Sequence, residues 1–351
     1  MTSMGNEDTY RSIYFLRGVA ILAVVVNHYL NAYVTDQFAN YANGFVSLFF
    51  VLSGYGIYQS LSKSGQNTGL SLQSLYSFFV KRFIRIYPLY WIAVAADTFL
   101  TPRYLGMRTY LAIPFIPAGF KYWFIGDILQ CYVLAPIIFL VIIRVPIRSM
   151  IFHVALILTA TSVLFYLSGL PYSNSCYVYR YVFFGHLYLF ALGMMIPYLI
   201  SHFAEYFRNR RILLIVLGLF LLSVHFTRGE SMIFSNSHLF LAWVLVLSAP
   251  LVCAGFLFVP LKTRLFDFFI FAGKISFSLY LFCDVYFLYI HKAAQYISAN
   301  YMNYTQALLI PGLFVLCHYI EKLSVAVVRP LALRMENSLL SSIRKNKNGD
   351  C

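Results

Sequence analysis

An all-α, polytopic integral membrane protein with about ten transmembrane helices is the fold this sequence predicts, on three observations. Of its 351 residues 61% are hydrophobic and only 11% are charged, whereas a soluble domain carries about 25% charged and about 45–50% apolar residues. Apolar stretches of about 20 residues, the length a helix needs to cross the hydrocarbon, recur along nearly the whole chain. The basic residues fall in alternate linkers, as the orientation of a multi-span protein requires. A surface this apolar cannot face water, so lipid is the solvent for most of the chain.

The spans are expected near 12–34, 43–61, 82–101, 122–143, 150–169, 178–200, 212–227, 237–259, 271–292 and 305–328. The first apolar run starts near Ile13 and outlasts the short core of a signal peptide, with no small-residue cleavage site after it. It reads as a retained helix. The linkers are short, leaving no room for a separate soluble domain. Residues 1–340 therefore read as one transmembrane domain, followed by a polar cytoplasmic tail over 341–351. No internal repeat is visible.

Orientation follows from the lysines and arginines. With the N-terminus inside, cytoplasmic ends and loops hold 18 of them: Arg11, Lys63, Lys81, Arg82, Arg85, Arg144, Arg148, Arg208, Arg210, Arg211, Lys262, Arg264, Lys274, Arg329, Arg334, Arg344, Lys345 and Lys347. Outer loops hold 6: Arg103, Arg108, Lys121, Arg180, Arg228 and Lys292. Arg17 and Lys322 are set aside as intramembrane or ambiguous. An odd number of helices would destroy this asymmetry, so both termini are expected in the cytoplasm. The same distribution accounts for the net charge of +14 without nucleic acid as a partner. None of the six cysteines pairs with another at metal-ligand spacing, and four of them (Cys131, Cys253, Cys283 and Cys317) sit in apolar runs as small buried residues. No metal cluster or glycine-rich dinucleotide fingerprint occurs, so no metal is expected.

Ionisable groups inside apolar runs are few: Arg17, His28, Asp97, Asp127, His186, Asp284, His318 and Glu321. Such groups are costly in a bilayer and usually face a bundle interior or a wet cavity. Arg17 and His28 form the most informative pair. Eleven residues at about 100° each bring His28 to within roughly 20° of the face carrying Arg17, and about 1.5 Å per residue separates them by roughly 16 Å along the helix. A cation at the membrane boundary and a proton-transfer group deeper in thus share one face. Taken alone, Arg17 could equally be an anchor that snorkels to the interface, and His28 a hydrogen-bonding partner for a neighbouring helix.

Lys81, Arg82 and Arg85 lie three and four residues apart, so one helical face gathers all three at the cytoplasmic boundary. They suit either an anchor that also binds anionic lipid or a clamp for phosphate oxygens, such as those of an acyl-coenzyme A. Phe49-Phe50-Val51-Leu52-Ser53-Gly54-Tyr55-Gly56 places small residues in an aromatic second span, where they permit close helix packing. Ser53 has no local base that would make it a nucleophile.

These residues resemble the acyltransferase-3 family of membrane O-acyltransferases. Arg17, ten intervening residues and His28 look like its first-span signature, and Phe49–Gly56 resembles its second-span motif. Lys81-Arg82-x-x-Arg85-Ile86-x-Pro88-x-Tyr90-Trp91 is similar to the start of its third span, and Tyr122-Trp123-Phe124 with Gln130 and Pro136 to that of the next. Gly273-Lys274-Ile275-Ser276-Phe277-Ser278-Leu279-Tyr280-Leu281 and Tyr319-Ile320-Glu321-Lys322 resemble its late motifs. The matches occur in family order. The chain departs from the pattern at Cys283, with Asp284 after it, and at Lys121, positions where the family often has histidine.

The resemblance implies transfer of an acyl group, usually acetyl, from cytoplasmic acyl-coenzyme A to a hydroxyl of a glycan: an O-antigen, capsule, exopolysaccharide or similar oligosaccharide. It implies a multi-pass protein of the bacterial plasma (inner) membrane. His28 and Arg17 are then the expected catalytic residues, and Lys81, Arg82 and Arg85 the expected coenzyme A-binding ones. The alternative is a transporter or flippase for a small acid or lipid-linked sugar, with Arg17, His28, Asp127 and Asp284 along its path.

Overall fold

The computed structural model describes residues 6–33, 41–65, 70–100, 122–144, 184–232, 238–297 and 302–349, with positions 146 and 149. The fifth expected span at 150–169 lies outside the described residues, as do Asn174, Asn236, Cys176 and Cys351. Every described element is a helix. In chain order they are α1 (Asn6–Tyr33), α2 (Tyr41–Gly65), α3 (Leu72–Leu100), α4 (Trp123–Arg144), α5 (Phe184–Asn209), α6 (Arg211–Met232), α7 (His238–Phe256), a 3-10 turn (Arg264–Phe266), α8 (Asp267–Lys274), α9 (Ser276–Ile297) and α10 (Met302–Gly349).

Among the described residues, six helical stretches are long and apolar enough to cross a bilayer: Glu7–Leu30, Phe45–Lys63, Leu72–Leu100, Trp123–Arg144, His186–Asn209 and Ile310–Met335. A seventh is counted if α8 and α9, separated by a break at Ile275, cross as one. Shorter apolar stretches, Arg211–Val224 and Leu247–Phe256, lie where the seventh and eighth spans are expected. The all-α membrane architecture thus holds. Two boundaries differ from expectation. The ninth apolar run is interrupted, since α8 ends at Lys274 and α9 begins at Ser276. The last helix runs on through the polar segment to Gly349, past Pro311 and Pro330.

The chain divides into two compact units. The first comprises residues 1–59 and 111–276. Its helices pack through reciprocal glycines. A Cβ on Gly54 of α2 would overlap the Phe190 carbonyl of α5, and one on Gly193 of α5 would overlap the Val51 carbonyl of α2. Gly18 of α1 and Gly273 of α8 are paired in the same way, each against a carbonyl oxygen of the other helix (Phe269 and Tyr14). Gly218 of α6 and Gly255 of α7 repeat the device. Apolar side chains gain little from leaving lipid, so helix association in a membrane depends on such close backbone contact.

The start of α1 is fixed by polar contacts. The Arg11 guanidinium donates to the Leu261 carbonyl at 3.0 Å and to Asp267 at 2.8 Å, and the Ser12 hydroxyl donates to the Val259 carbonyl at 3.3 Å. Nearby, a cavity is lined by Thr9 of α1, Tyr55 of α2, Ile200 and Arg208 of α5, and Leu257 and Phe258 beyond α7. The first turns of α1 and the later turns of α2, α5 and α7 therefore meet at one end of this unit.

The second unit comprises residues 60–110 and 277–351. In it α3 packs against α10, and the Ser278 hydroxyl of α9 donates to the Glu321 carboxylate of α10 at 2.7 Å. An intramembrane carboxylate at a helix contact is thereby partnered. Cys283 and Cys317 are buried here, and Cys131 and Cys253 in the first unit, as expected of small apolar residues.

Candidate active site

One unbroken helix, α1, carries both Arg17 and His28, so the helical arithmetic that puts them on one face applies. Burial shows which face it is. With Ile13 as origin and about 100° per residue, the buried Leu16, Ala20, Ile21, Val24 and Val25 fall between about 300° and about 120°. Arg17 falls near 40° and His28 near 60°, in the middle of that stripe. Both are half-buried. A snorkelling anchor would sit on the opposite, lipid-facing side, so the geometry favours groups turned into the unit. Beside His28, the Asn27 carboxamide oxygen is buried without a hydrogen-bond partner among the described residues. Such an oxygen is costly unless something arrives to donate to it.

In the second unit, the three basic residues of α3 separate by environment. Lys81 and Arg85 are exposed, whereas Arg82 is half-buried with its guanidinium 5.3 Å from the centre of the Phe78 ring. Helical phase explains this. The buried Phe78, Ile86, Leu89, Tyr90, Ala93, Val94 and Asp97 define one stripe, with the buried Ile84 off it. Arg82, four residues after Phe78, belongs to it, and Lys81 and Arg85 flank it. An aromatic face holding one guanidinium in place, with two exposed cations beside it, can hold an anionic group.

The structure also joins two residues that sequence reasoning left apart. Asp127 of α4 and Nδ1 of His186 of α5 are 2.7 Å from each other, with side chains 4% and 17% exposed. Two rings stack on the imidazole: Phe50 of α2 at 4.5 Å between centroids and 7° between planes, and Trp123 of α4 at 5.1 Å and 30°. With the carboxylate ionised, Nδ1 donates to it, and the neutral ring keeps a lone pair on Nε2. Among the described residues Nε2 has no hydrogen-bond partner. Three residues beyond Asp127, both polar atoms of the Gln130 carboxamide are buried and have no partner among the described residues. His186 stood out in the sequence only as an ionisable group in an apolar run, Asp127 as another and as a step on the alternative transporter path, and Gln130 only as part of a motif. Fifty-nine residues separate the pair, and no spacing rule links them.

These two clusters of the first unit, Arg17–His28 and Asp127–His186–Gln130, supply a cation, two imidazoles and, at Gln130, a carboxamide without a partner among the described residues, all within helices apolar enough to cross a membrane. Such sets suit proton transfer or nucleophilic chemistry on a substrate that brings its own polar groups. The model of the acyltransferase-3 family, described as an acyltransferase domain, matches residues 10–320, a span that includes all of the residues above. No curated protein and no solved structure matches the chain. The match takes the acyltransferase side of the two sequence readings, against the transporter. With most of its length covered by that model, the chain belongs to the acyltransferase-3 family and is a membrane acyltransferase.

Proposed function

We propose that the chain transfers an acyl group, acetyl in the first instance, from cytoplasmic acyl-coenzyme A to a hydroxyl of a cell-surface or secreted glycan in the bacterial inner membrane. The observation that carries this reading is the family match over residues 10–320, which includes the Arg17–His28 pair. The exposed Lys81 and Arg85 and the ring-held Arg82 support a donor clamp: their charge-assisted hydrogen bonds suit the phosphates of coenzyme A. Arg17 positions the thioester end. His28 takes the proton of the acceptor hydroxyl or carries the acyl group between donor and acceptor. Incubating the purified protein with radiolabelled acetyl-coenzyme A and deacylated envelope polysaccharide tests the reading. Label on polysaccharide is the expected result, and its absence with every acyl donor tried rejects it.

Arg82→Ala and Arg85→Ala are expected to raise the KM for acyl-coenzyme A about tenfold each, the loss of one charge-assisted contact of about 1.5 kcal/mol. The KM for the acceptor should change little. Initial rates at varied donor and fixed acceptor measure this. Unchanged donor kinetics in both variants would return the cluster to anchoring or lipid binding.

The donor assignment requires both termini inside. In a variant without the native cysteines, single cysteines replace Asn174, Asn236 and Ser342. An impermeant thiol reagent applied to spheroplasts should label the first two and spare the third, because the basic asymmetry of 18 to 6 lies in short loops. Labelling at position 342 from outside would invert the protein and remove the cytoplasmic clamp.

A further inference from the structure

We infer that His186 and Gln130, with Asp127 orienting the imidazole, form a hydroxyl-binding subsite for the sugar acceptor. The inference rests on the glycan reading above for the identity of the occupant, and on three observations for the site.

The first is the Gln130 carboxamide. The residue is 5% exposed, and among the described residues neither its oxygen nor its nitrogen has a partner. A buried amide with no hydrogen bond is destabilising, and within a membrane no bulk water relieves it. Leucine would fill the place at no such cost, so a glutamine here needs a ligand that both donates and accepts. A hydroxyl does both.

The second observation is the imidazole. Asp127 holds Nδ1 at 2.7 Å, and the stacked Phe50 and Trp123 rings set the ring plane. Rotation of the imidazole is therefore restrained, and with Nδ1 donating to an ionised Asp127 the lone pair of Nε2 has one direction in which to accept a hydrogen bond. An Asp–His pair that served only to join α4 to α5 would need neither ring stacked on the imidazole nor an open Nε2.

The third is register. Gln130 follows Asp127 by three residues on α4, one helical turn and about 60° of rotation away. One turn of α4 thus presents the carboxylate that orients His186 and the amide that lacks a partner. Polar groups one turn apart can meet different hydroxyls of one sugar, whereas a lone acyl carbonyl only accepts. Trp123 adds an aromatic ring beside these groups.

Two experiments on the full-length protein in detergent test this. In a Trp91→Phe, Trp243→Phe background Trp123 is the sole tryptophan. Its emission is followed while deacylated envelope oligosaccharide, or acetyl-coenzyme A, is titrated in. The oligosaccharide should shift the emission, and Gln130→Leu and His186→Gln should each weaken its apparent affinity about tenfold, one hydrogen bond's worth. A shift with acetyl-coenzyme A and none with oligosaccharide would overturn the subsite. The second experiment is transfer kinetics in the wild-type background. Gln130→Leu should raise the acceptor KM about tenfold, leave the donor KM unchanged, and keep or raise the thermal midpoint, because the orphan amide is gone. An unchanged acceptor KM in both variants overturns the inference. So does a fall in kcat at constant acceptor KM, which would make His186 a proton-transfer group instead. The acyl-transfer reading fails separately: wild-type protein that shifts with oligosaccharide yet transfers no label keeps the subsite and loses the reaction.

Discussion

His28→Ala is expected to lower the rate of acyl transfer by about 10²–10⁴, the range typical of a positioned acid–base group, and by more if His28 carries the acyl group. The argument is positional. His28 lies on the buried stripe of α1, on the face that also carries Arg17, so it is aimed into the first unit and not at lipid. It is half-buried, so truncation leaves a small void and costs little stability beside the kinetic loss. The measurement is initial-rate transfer of label from acetyl-coenzyme A to glycan, with size-exclusion profiles to confirm that the variant is folded. A rapid acid quench in the absence of acceptor separates the two chemical roles. Label retained on wild-type protein and lost from His28→Ala identifies a carrier, whereas no label on either identifies a base. Full activity in a folded variant would take His28 out of the mechanism and leave His186, paired with Asp127 in the same unit, as the candidate.

How much of this was legible beforehand depends on the range over which each feature is encoded. The helices were legible, because each is a local apolar run that lipid requires to satisfy its own backbone. The shared face of Arg17 and His28 was legible too, being arithmetic along one helix. The break at Ile275 was not: the apolar run passes through it without a proline, and the residue departs from helical geometry at φ −100°, ψ 13°. The late motif that begins at Gly273 lies across this break. Nor was the extension of α10 to Gly349 legible, since the expected span ends near 328 and Pro330 and the polar composition after 340 follow it. The Asp127–His186 contact is non-local. Each residue alone was one ionisable group among eight, and only the packing of α4 on α5 makes them a pair. Gly18 and Gly273 likewise meet across most of the chain, where composition shows two glycines and no relation between them.

Gly193→Leu is expected to abolish recovery of folded protein, and Gly193→Ala and Gly54→Ala each to destabilise it by about 1–3 kcal/mol, the usual cost of forcing extra atoms into a filled contact. Gly56→Ala, two residues away on the same helix as Gly54, is expected to be neutral or to stabilise by up to about 1 kcal/mol. The contrast follows from what each new methyl would meet. At Gly54 and Gly193 it would run into backbone carbonyls of the facing helix, which cannot rotate aside as a side chain can. Relief requires α2 and α5 to move apart, and that movement loosens the α2–α5 packing that brings Phe50 onto His186. At Gly56 the same methyl meets nothing within 4 Å, and alanine only lowers the conformational freedom the chain must give up. Thermal midpoints of monodisperse protein in one detergent measure the three alanine variants, and the yield of monodisperse protein measures Gly193→Leu. Equal midpoints for Gly54→Ala and Gly56→Ala would mean that the α2–α5 contact is not a backbone-to-backbone one. The small residues of Phe49–Gly56 would then be more than a packing device, and Ser53 would return as a residue to test in the chemistry.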